Sequence, residues 1–178
     1  GGTIALTPLE IATGYAVFAN GGRSVDSFLI QSVTTVNESS SIIDREQFCR
    51  GGCRGASAEQ VVDPRVAFIM KSILKDTIQK GTGRKAFRAL KRTDLMGKTG
   101  TTNDADIWFS GYNGDIAATA WAGFSSNAPV GNREWGSTTP IETWIDFAKS
   151  ALPNVSPEVA RVPDGIVSIK IDPKTGQR

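Results

Sequence analysis

The sequence predicts an α/β domain of the α+β type, an antiparallel sheet flanked by helices, and three observations predict it. Two β-rich runs, 107–112 and 116–124, flank Asn113-Gly114, the strongest short hairpin signal. Pro8 and Pro64 each follow a residue able to cap a helix, Thr7 and Asp63, and each opens a run of helical length. Residues 140–151 set Ile141, Trp144, Ile145 and Ala148 on one helical face, suited to lie across a sheet.

Taken in order, Thr7-Pro8-Leu9-Glu10 is a capping box, with Glu10 at the third helical position and Pro8 where its missing N–H costs nothing. Asn20-Gly21-Gly22 ends that helix, and its apolar content, from Leu9 and Ile11 through Tyr15 to Phe18, predicts burial on most sides. Residues 28–36 alternate loosely between apolar and polar and read as a strand. Residues 37–62, polar and rich in Ser and Gly, read as an exposed insertion. A second helix starts at Asp63-Pro64, with Val66, Ile69, Met70, Ile73, Leu74 and Thr77 at helical spacing as far as Gly81. The turn Gly81-Thr82-Gly83 and the basic run 84–92 lead to a strand at 94–103. With the Asn-Gly hairpin this makes a three-stranded meander, and connectivity puts the 94–103 strand at one end of it. Thr139 is positioned to cap the last helix, which closes a unit spanning 1–151. From Pro153 the composition shifts to Pro, Val and Gly, which predicts an extension, 152–178, with one short strand at Ile166–Ile171.

At 178 residues, 39% hydrophobic and 21% charged, the chain can bury a sizeable core as one domain or a large part of one. A net charge of +2 is too small to argue for a nucleic-acid groove, so no nucleic-acid partner is expected. No segment approaches the roughly 20 apolar residues that cross a bilayer, and Gly1-Gly2-Thr3 has neither the basic start nor the apolar run of a secretory signal. Any membrane anchor is therefore expected outside this chain. The sequence has no histidine, which removes Ser-His-Asp and Cys-His machinery and the commonest metal ligand together. Acid–base chemistry is left to Lys, Asp, Glu or Tyr, and no cofactor or metal is expected.

The stretch best equipped for chemistry is Gly97-Lys98-Thr99-Gly100-Thr101-Thr102. In an extended segment Thr99 and Thr101 project to one side, Lys98 offers a fixed cation, and Gly100 leaves the backbone bare. A bare strand edge can pair with an extended peptide, main chain to main chain, while hydroxyls and an ammonium take its carboxylate. A phosphate-binding loop would require glycine five positions before Gly97, where Arg92 stands. Ser72-Ile73-Leu74-Lys75 fits the Ser-x-x-Lys pattern in which a lysine one turn on activates a serine. At about 100° per residue both side chains face away from the apolar stripe in mid-helix, and a solvated lysine keeps its charge, so the match reads as accidental. Cys49 and Cys53 enclose a loop short enough to close as a disulfide in an oxidising compartment; two free thiols are the other state this spacing admits, and a zinc site would need two more ligands.

The ordered set of motifs resembles one family. Leu6-Thr7-Pro8-Leu9-Glu10, Phe18-Ala19-Asn20-Gly21-Gly22, Gly81-Thr82-Gly83 and Gly97-Lys98-Thr99-Gly100-Thr101-Thr102-Asn103 are joined by three more. These are Asp106-Ile107-Trp108-Phe109-Ser110-Gly111-Tyr112, Trp121-Ala122-Gly123-Phe124 and Pro163-Asp164-Gly165-Ile166-Val167. Together they look like the C-terminal part of the transpeptidase domain of a class A penicillin-binding protein of the Gram-negative 1a type. The resemblance implies the penicillin-binding and serine β-lactamase-like fold, of which only the C-terminal half is present. In that family the nucleophilic serine of Ser-x-x-Lys and the Ser-x-Asn motif both precede the segment matched here by Leu6-Thr7-Pro8, and neither is in this chain.

The resemblance further implies a peptidoglycan D,D-transpeptidase. Its partners would be stem peptides ending in D-Ala-D-Ala, β-lactams, and the N-terminal half of the same domain that carries the serine. The full-length protein would also be a glycosyltransferase at the periplasmic face of the inner membrane, while this chain alone would be inactive. Lys98, Thr99, Gly100, Thr101 and Thr102 would bind substrate, with Lys98 also in proton relay and the Thr101 N–H in the oxyanion hole. In the exported protein Cys49 and Cys53 would be joined. A penicillin-sensing or wall-peptide-binding module and a serine β-lactamase are the alternatives.

Overall fold

A computed structural model describes residues 4–36, 41–44, 58–157, 159–172 and 174–178. In chain order the elements are α1 (Pro8–Ala19), β1 (Ser32–Thr34), β2 (Ser41–Asp44), α2 (Pro64–Gln79), α3 (Arg84–Leu90), β3 (Met96–Thr102), β4 (Asp106–Tyr112), β5 (Ala117–Gly123) and α4 (Thr139–Ala151). The central sheet is antiparallel in the order β3-β4-β5, so β3 forms one edge, as the connectivity predicts. Lys98 pairs with Ser110 and Thr99 with Phe109, and Trp108 lies between Gly100 and Trp121.

One face of this sheet is closed. Ile141, Trp144, Ile145 and Ala148 of α4 are all buried there with Phe109, Ile78, Ala86, Leu95 and Leu152, as their helical spacing predicts. The other face is covered only at one end, where Tyr15, Phe18 and Ala19 of α1 and Met70 and Leu74 of α2 pack on Met96, Tyr112 and Ala117. A buried ion pair holds the closed side together. Arg92 donates to both Asp94 oxygens, at 3.0 and 2.6 Å, and to the Val155 carbonyl at 2.7 Å, while the Asn113 amide reaches Asp94 at 3.4 Å.

Several expectations change. The capping box of α1 forms, with the Thr7 hydroxyl accepting from the Glu10 N–H and the Glu10 carboxylate accepting from the Thr7 N–H. Yet no residue of α1 is buried, because only its sheet-facing side is packed, and Leu9 is 53% exposed. Helix α2 buries Ala67, Leu74 and Ile78, while Val66, Ile69 and Ile73, expected on its apolar stripe, stay half exposed. Two apolar lines therefore run along α2, and among the described residues only one is buried. Ser72 is exposed, as expected; Lys75 is half buried, beside a cavity of about 150 Å³ that it lines with Ser72, Lys71 and Met96.

The strand expected over 28–36 is only Ser32–Thr34, paired with Ser41–Asp44, a strand inside the stretch read as insertion. The end of that stretch is also tied down: Val61 and Val62 N–H groups bond the Gly22 carbonyl, and the Ser24 N–H bonds Glu59. Cys49 and Cys53 lie outside the described residues. At the N-terminus of α4 the cap position is Thr138, not Thr139, and neither hydroxyl caps the helix, since both donate to the Glu134 carboxylate.

Asn113-Gly114 is not a two-residue turn. The Asn113 carbonyl oxygen of the side chain accepts from the Asp115 and Ile116 N–H groups, and β5 starts only at Ala117. The tighter reversal is Asn103-Asp104, both at positive φ, closed by the Ala105 N–H on the Thr102 carbonyl. In the extension, Ile166–Ile171 forms no strand: among the described residues it has no ladder partner, and Val167, Ile169 and Ile171 are left exposed.

Candidate active-site edge

Strand geometry sorts the β3 side chains into two sets. Lys98, Gly100 and Thr102 share a face with their cross-strand partners Ser110, Trp108 and Asp106, and Thr99 and Thr101 point the other way, toward the α4 side. Thr99 and Thr101 thus project together, as expected, but Lys98 does not join them. Its cation and the hydroxyls reach one ligand only across the strand edge.

The Lys98 face opens into a groove of about 740 Å³. Its floor is Lys98, Gly100, Thr102, Trp108, Ser110 and Trp121, and its wall is the segment from Ile4 to Pro8 with Ile11 and Tyr15. Lys98 is exposed, and its ammonium donates to the Thr99 carbonyl at 2.8 Å; among the described residues it has no ion-pair partner. Asp106, the nearest acid on the floor, has an oxygen engaged by the Trp121 indole N–H at 2.7 Å. Trp121 and Trp108 stack obliquely, 5.9 Å between ring centroids, giving the floor an apolar end. Tyr15 closes the other end, its hydroxyl pushed up in pKa by burial, so it stays protonated at neutral pH.

On the opposite face Thr101 is committed to the scaffold. Its hydroxyl oxygen accepts the Gly136 N–H at 3.3 Å, and Gly136 lies so close that a Cβ would sit 2.2 Å from the Trp108 carbonyl oxygen. Thr101 is not among the residues lining the groove, whereas Thr99 is, at the strand edge. The Thr99 hydroxyl meets the Thr82 hydroxyl at 2.8 Å. Nothing in the spacing of the sequence predicted that contact: Gly81-Thr82-Gly83 stands 17 residues before Thr99 and had a place in the resemblance but no role. Trp108, Trp121 and Asp106 were also missed as floor residues; period-2 alternation along β4 and β5 is the signal that could have found them.

No group of three or more Cys, Asp or Glu among the described residues is placed to hold a metal, and no described helix is long and apolar enough to cross a membrane.

Residues 1–135 match the penicillin-binding protein transpeptidase domain. The chain is 36% identical to penicillin-binding protein 1A of Pseudomonas aeruginosa, an alignment covering 99% of this chain and 26% of that protein. It is 39% identical to penicillin-binding protein 1A of Neisseria gonorrhoeae, covering 94% of this chain and 20% of that one. The crystal structure of penicillin-binding protein 1A from Haemophilus influenzae superposes with a TM-score of 0.83 at 28% identity, over 96% of this chain and 30% of that one. The chain thus spans about a quarter of the length of these relatives.

Proposed function

This chain belongs to the penicillin-binding protein transpeptidase domain family, and on that premise we propose that it forms the substrate-gripping wall of a serine-type D,D-transpeptidase. The reaction is peptidoglycan cross-linking. A serine outside this chain attacks the penultimate D-alanine carbonyl of a stem peptide, the C–N bond to the terminal D-alanine breaks, and that residue leaves as a free amine. The amine of a second peptide then attacks the acyl-serine ester and releases the serine. β-Lactams, which carry a carboxylate beside a strained amide, acylate the same serine and stop there.

The observation that carries this reading is the β3 edge itself. An exposed cation, Lys98, and an edge hydroxyl, Thr99, stand directly before Gly100, which carries no side chain, beside an open groove. The substrate end is an extended peptide with a free carboxylate, which such an edge suits. Lys98 supports the developing charge and the proton relay, the Thr99 hydroxyl holds the carboxylate, and the Thr101 N–H is one half of the oxyanion hole, while the Thr101 hydroxyl, expected beside that of Thr99 on the carboxylate, accepts from Gly136 instead. Thr102 borders the groove beyond the carboxylate.

Support for a missing half comes from what is left uncovered. Ile4 and Leu9 beside the groove and Val66, Ile69 and Ile73 on α2 are each about half exposed or more, apolar surface of the kind a folded domain covers. The N-terminal half of the domain, with its serine, is the partner that would cover it. The full-length protein would carry a glycosyltransferase too and sit at the periplasmic face of the inner membrane, anchored outside this chain.

The test is acylation of the full-length protein by a labelled penicillin, followed by mapping of the adduct. A stable, stoichiometric label on a serine outside residues 1–178 is expected, with none on the isolated chain. A label on Ser72 would overturn the assignment, and rapid turnover of the penicillin would make the protein a β-lactamase instead.

A further inference from the structure

Helix α2 ends at Gln79, and the chain then makes a turn that the helix itself clamps. The Gly81 and Gly83 N–H groups both bond the Thr77 carbonyl, each at 3.1 Å. Both glycines are there for space: a Cβ on Gly81 would lie 2.9 Å from the Thr77 carbonyl oxygen, and one on Gly83 would lie 2.7 Å from Ile78 Cδ1. The same Ile78 methyl lies 2.9 Å from where a Cβ on Gly97 would be, so one buried side chain gauges both the turn and the start of β3. Gly83 and Gly97 are buried, and between them the geometry fixes Thr82 at the exposed rim with its hydroxyl 2.8 Å from that of Thr99.

We propose that Thr82 is a positioning residue for the substrate carboxylate, acting by donating its hydroxyl proton to Thr99 so that the Thr99 proton is free to point at the ligand. This rests on the reading of Thr99 as a carboxylate ligand. A threonine hydroxyl has one proton and two lone pairs. If Thr99 gave its proton to Thr82, it could offer a carboxylate only lone pairs, and the contact would repel. With Thr82 as donor the chain runs Thr82 to Thr99 to carboxylate, every hydrogen bond points the same way, and each polarises the next. A carboxylate selects this orientation strongly, and an ester, whose oxygens are weaker acceptors, selects it less. Because the turn is held at two glycines and a buried isoleucine, the donor is placed before the ligand arrives and no loop has to be ordered on binding.

The consequence is specificity for the charged end of the substrate, separable from the reaction at the carbonyl. In the full-length protein, the rate of acylation by a β-lactam should be compared with that of its methyl ester, and the ratio read for each variant. Thr82→Val should lower the carboxylate-to-ester ratio by roughly 3- to 10-fold, the worth of one hydrogen bond, and Thr82→Ser should restore it. In a Thr99→Val background Thr82→Val should lower it no further. A ratio unchanged in Thr82→Val, or a full additional loss in the Thr99→Val background, would overturn the proposal. If Thr99→Val alone leaves the ratio unchanged, it is the reading of Thr99 that fails.

Discussion

Phe109 of β4 and Trp144 of α4 meet edge to face, 5.4 Å between centroids at 67°, and the Trp144 indole N–H reaches the Gly111 carbonyl at 3.3 Å and the Ala118 carbonyl at 3.2 Å. One side chain thus joins helix, middle strand and far strand. Trp144→Ala should cost about 3–5 kcal/mol, through lost burial and the cavity left behind. Gly111→Ala should cost about 1–3 kcal/mol from the other direction, since its Cβ would lie 2.5 Å from the Trp144 ring. Denaturant melts of the full-length protein would check both, and a neutral Gly111→Ala would show that the ring is free to move.

Arg92 and Asp94 are both mostly buried, with side chains 13% and 2% exposed. Removing Arg92 takes two short hydrogen bonds from a carboxylate that is poorly solvated, so Arg92→Met should destabilise by about 3 kcal/mol. The double variant Arg92→Met, Asp94→Leu should recover much of that loss. Melts of the two variants test the pair, and equal losses in single and double would locate the effect instead in the contacts of Arg92 with the Leu152 and Val155 carbonyls.

Lys98 is exposed and packs little, so its removal should separate chemistry from folding. In the full-length protein Lys98→Ala should slow acylation on the order of 10²-fold while shifting stability by only about 0.5 kcal/mol. Second-order acylation rates measured beside melting temperatures decide this. Acylation at the parent rate, or a loss that tracks the melting temperature, would remove Lys98 from the mechanism.

Asp63 caps α2 and is held by Arg65, whose side-chain hydrogen bonds, with its backbone N–H, lower the carboxyl to about 2. A carboxyl depressed on folding contributes stability that is present above its unfolded value and lost as pH falls through the folded one. The cap should therefore hold at neutral pH and weaken between pH 4 and about 2. Asp63→Asn keeps an oxygen for the Arg65 N–H, so it should retain helix at neutral pH and flatten the acid limb of a pH melt. An unchanged acid limb would remove Asp63 from the acid response.

The elements whose signals are local were legible in the sequence. The Thr7 capping box and the α4 face of Ile141, Trp144, Ile145 and Ala148 follow from spacing, because a cap or an amphipathic face is decided within a few residues, and the place of β3 at a sheet edge follows from connectivity. The Asn-Gly signal found the reversal between β4 and β5 but not its size, since the buried Asn113 side chain binds its own loop and the reversal takes four residues, 113–116. The segment 166–171 has the alternation of a strand, but a strand also needs a neighbour, and alternation cannot supply one.

The sequence by itself determined that Lys98, Thr99 and Thr101, the residues proposed for the site, lie in an extended segment, and period 2 alone put the two hydroxyls on one side. Only the tertiary structure decided what each of them faces. Lys98 looks into a groove built from α1, the segment before it and the other two strands of the sheet, Thr101 is taken up by Gly136, and Thr99 is met by Thr82 across 17 residues of chain. The physical reason is that alternation is a property of one strand's backbone. A hydroxyl's partner depends on where a separate, close-packed turn is brought to rest, and here the space left by Gly81 against Thr77 and by Gly83 and Gly97 around Ile78 sets that place.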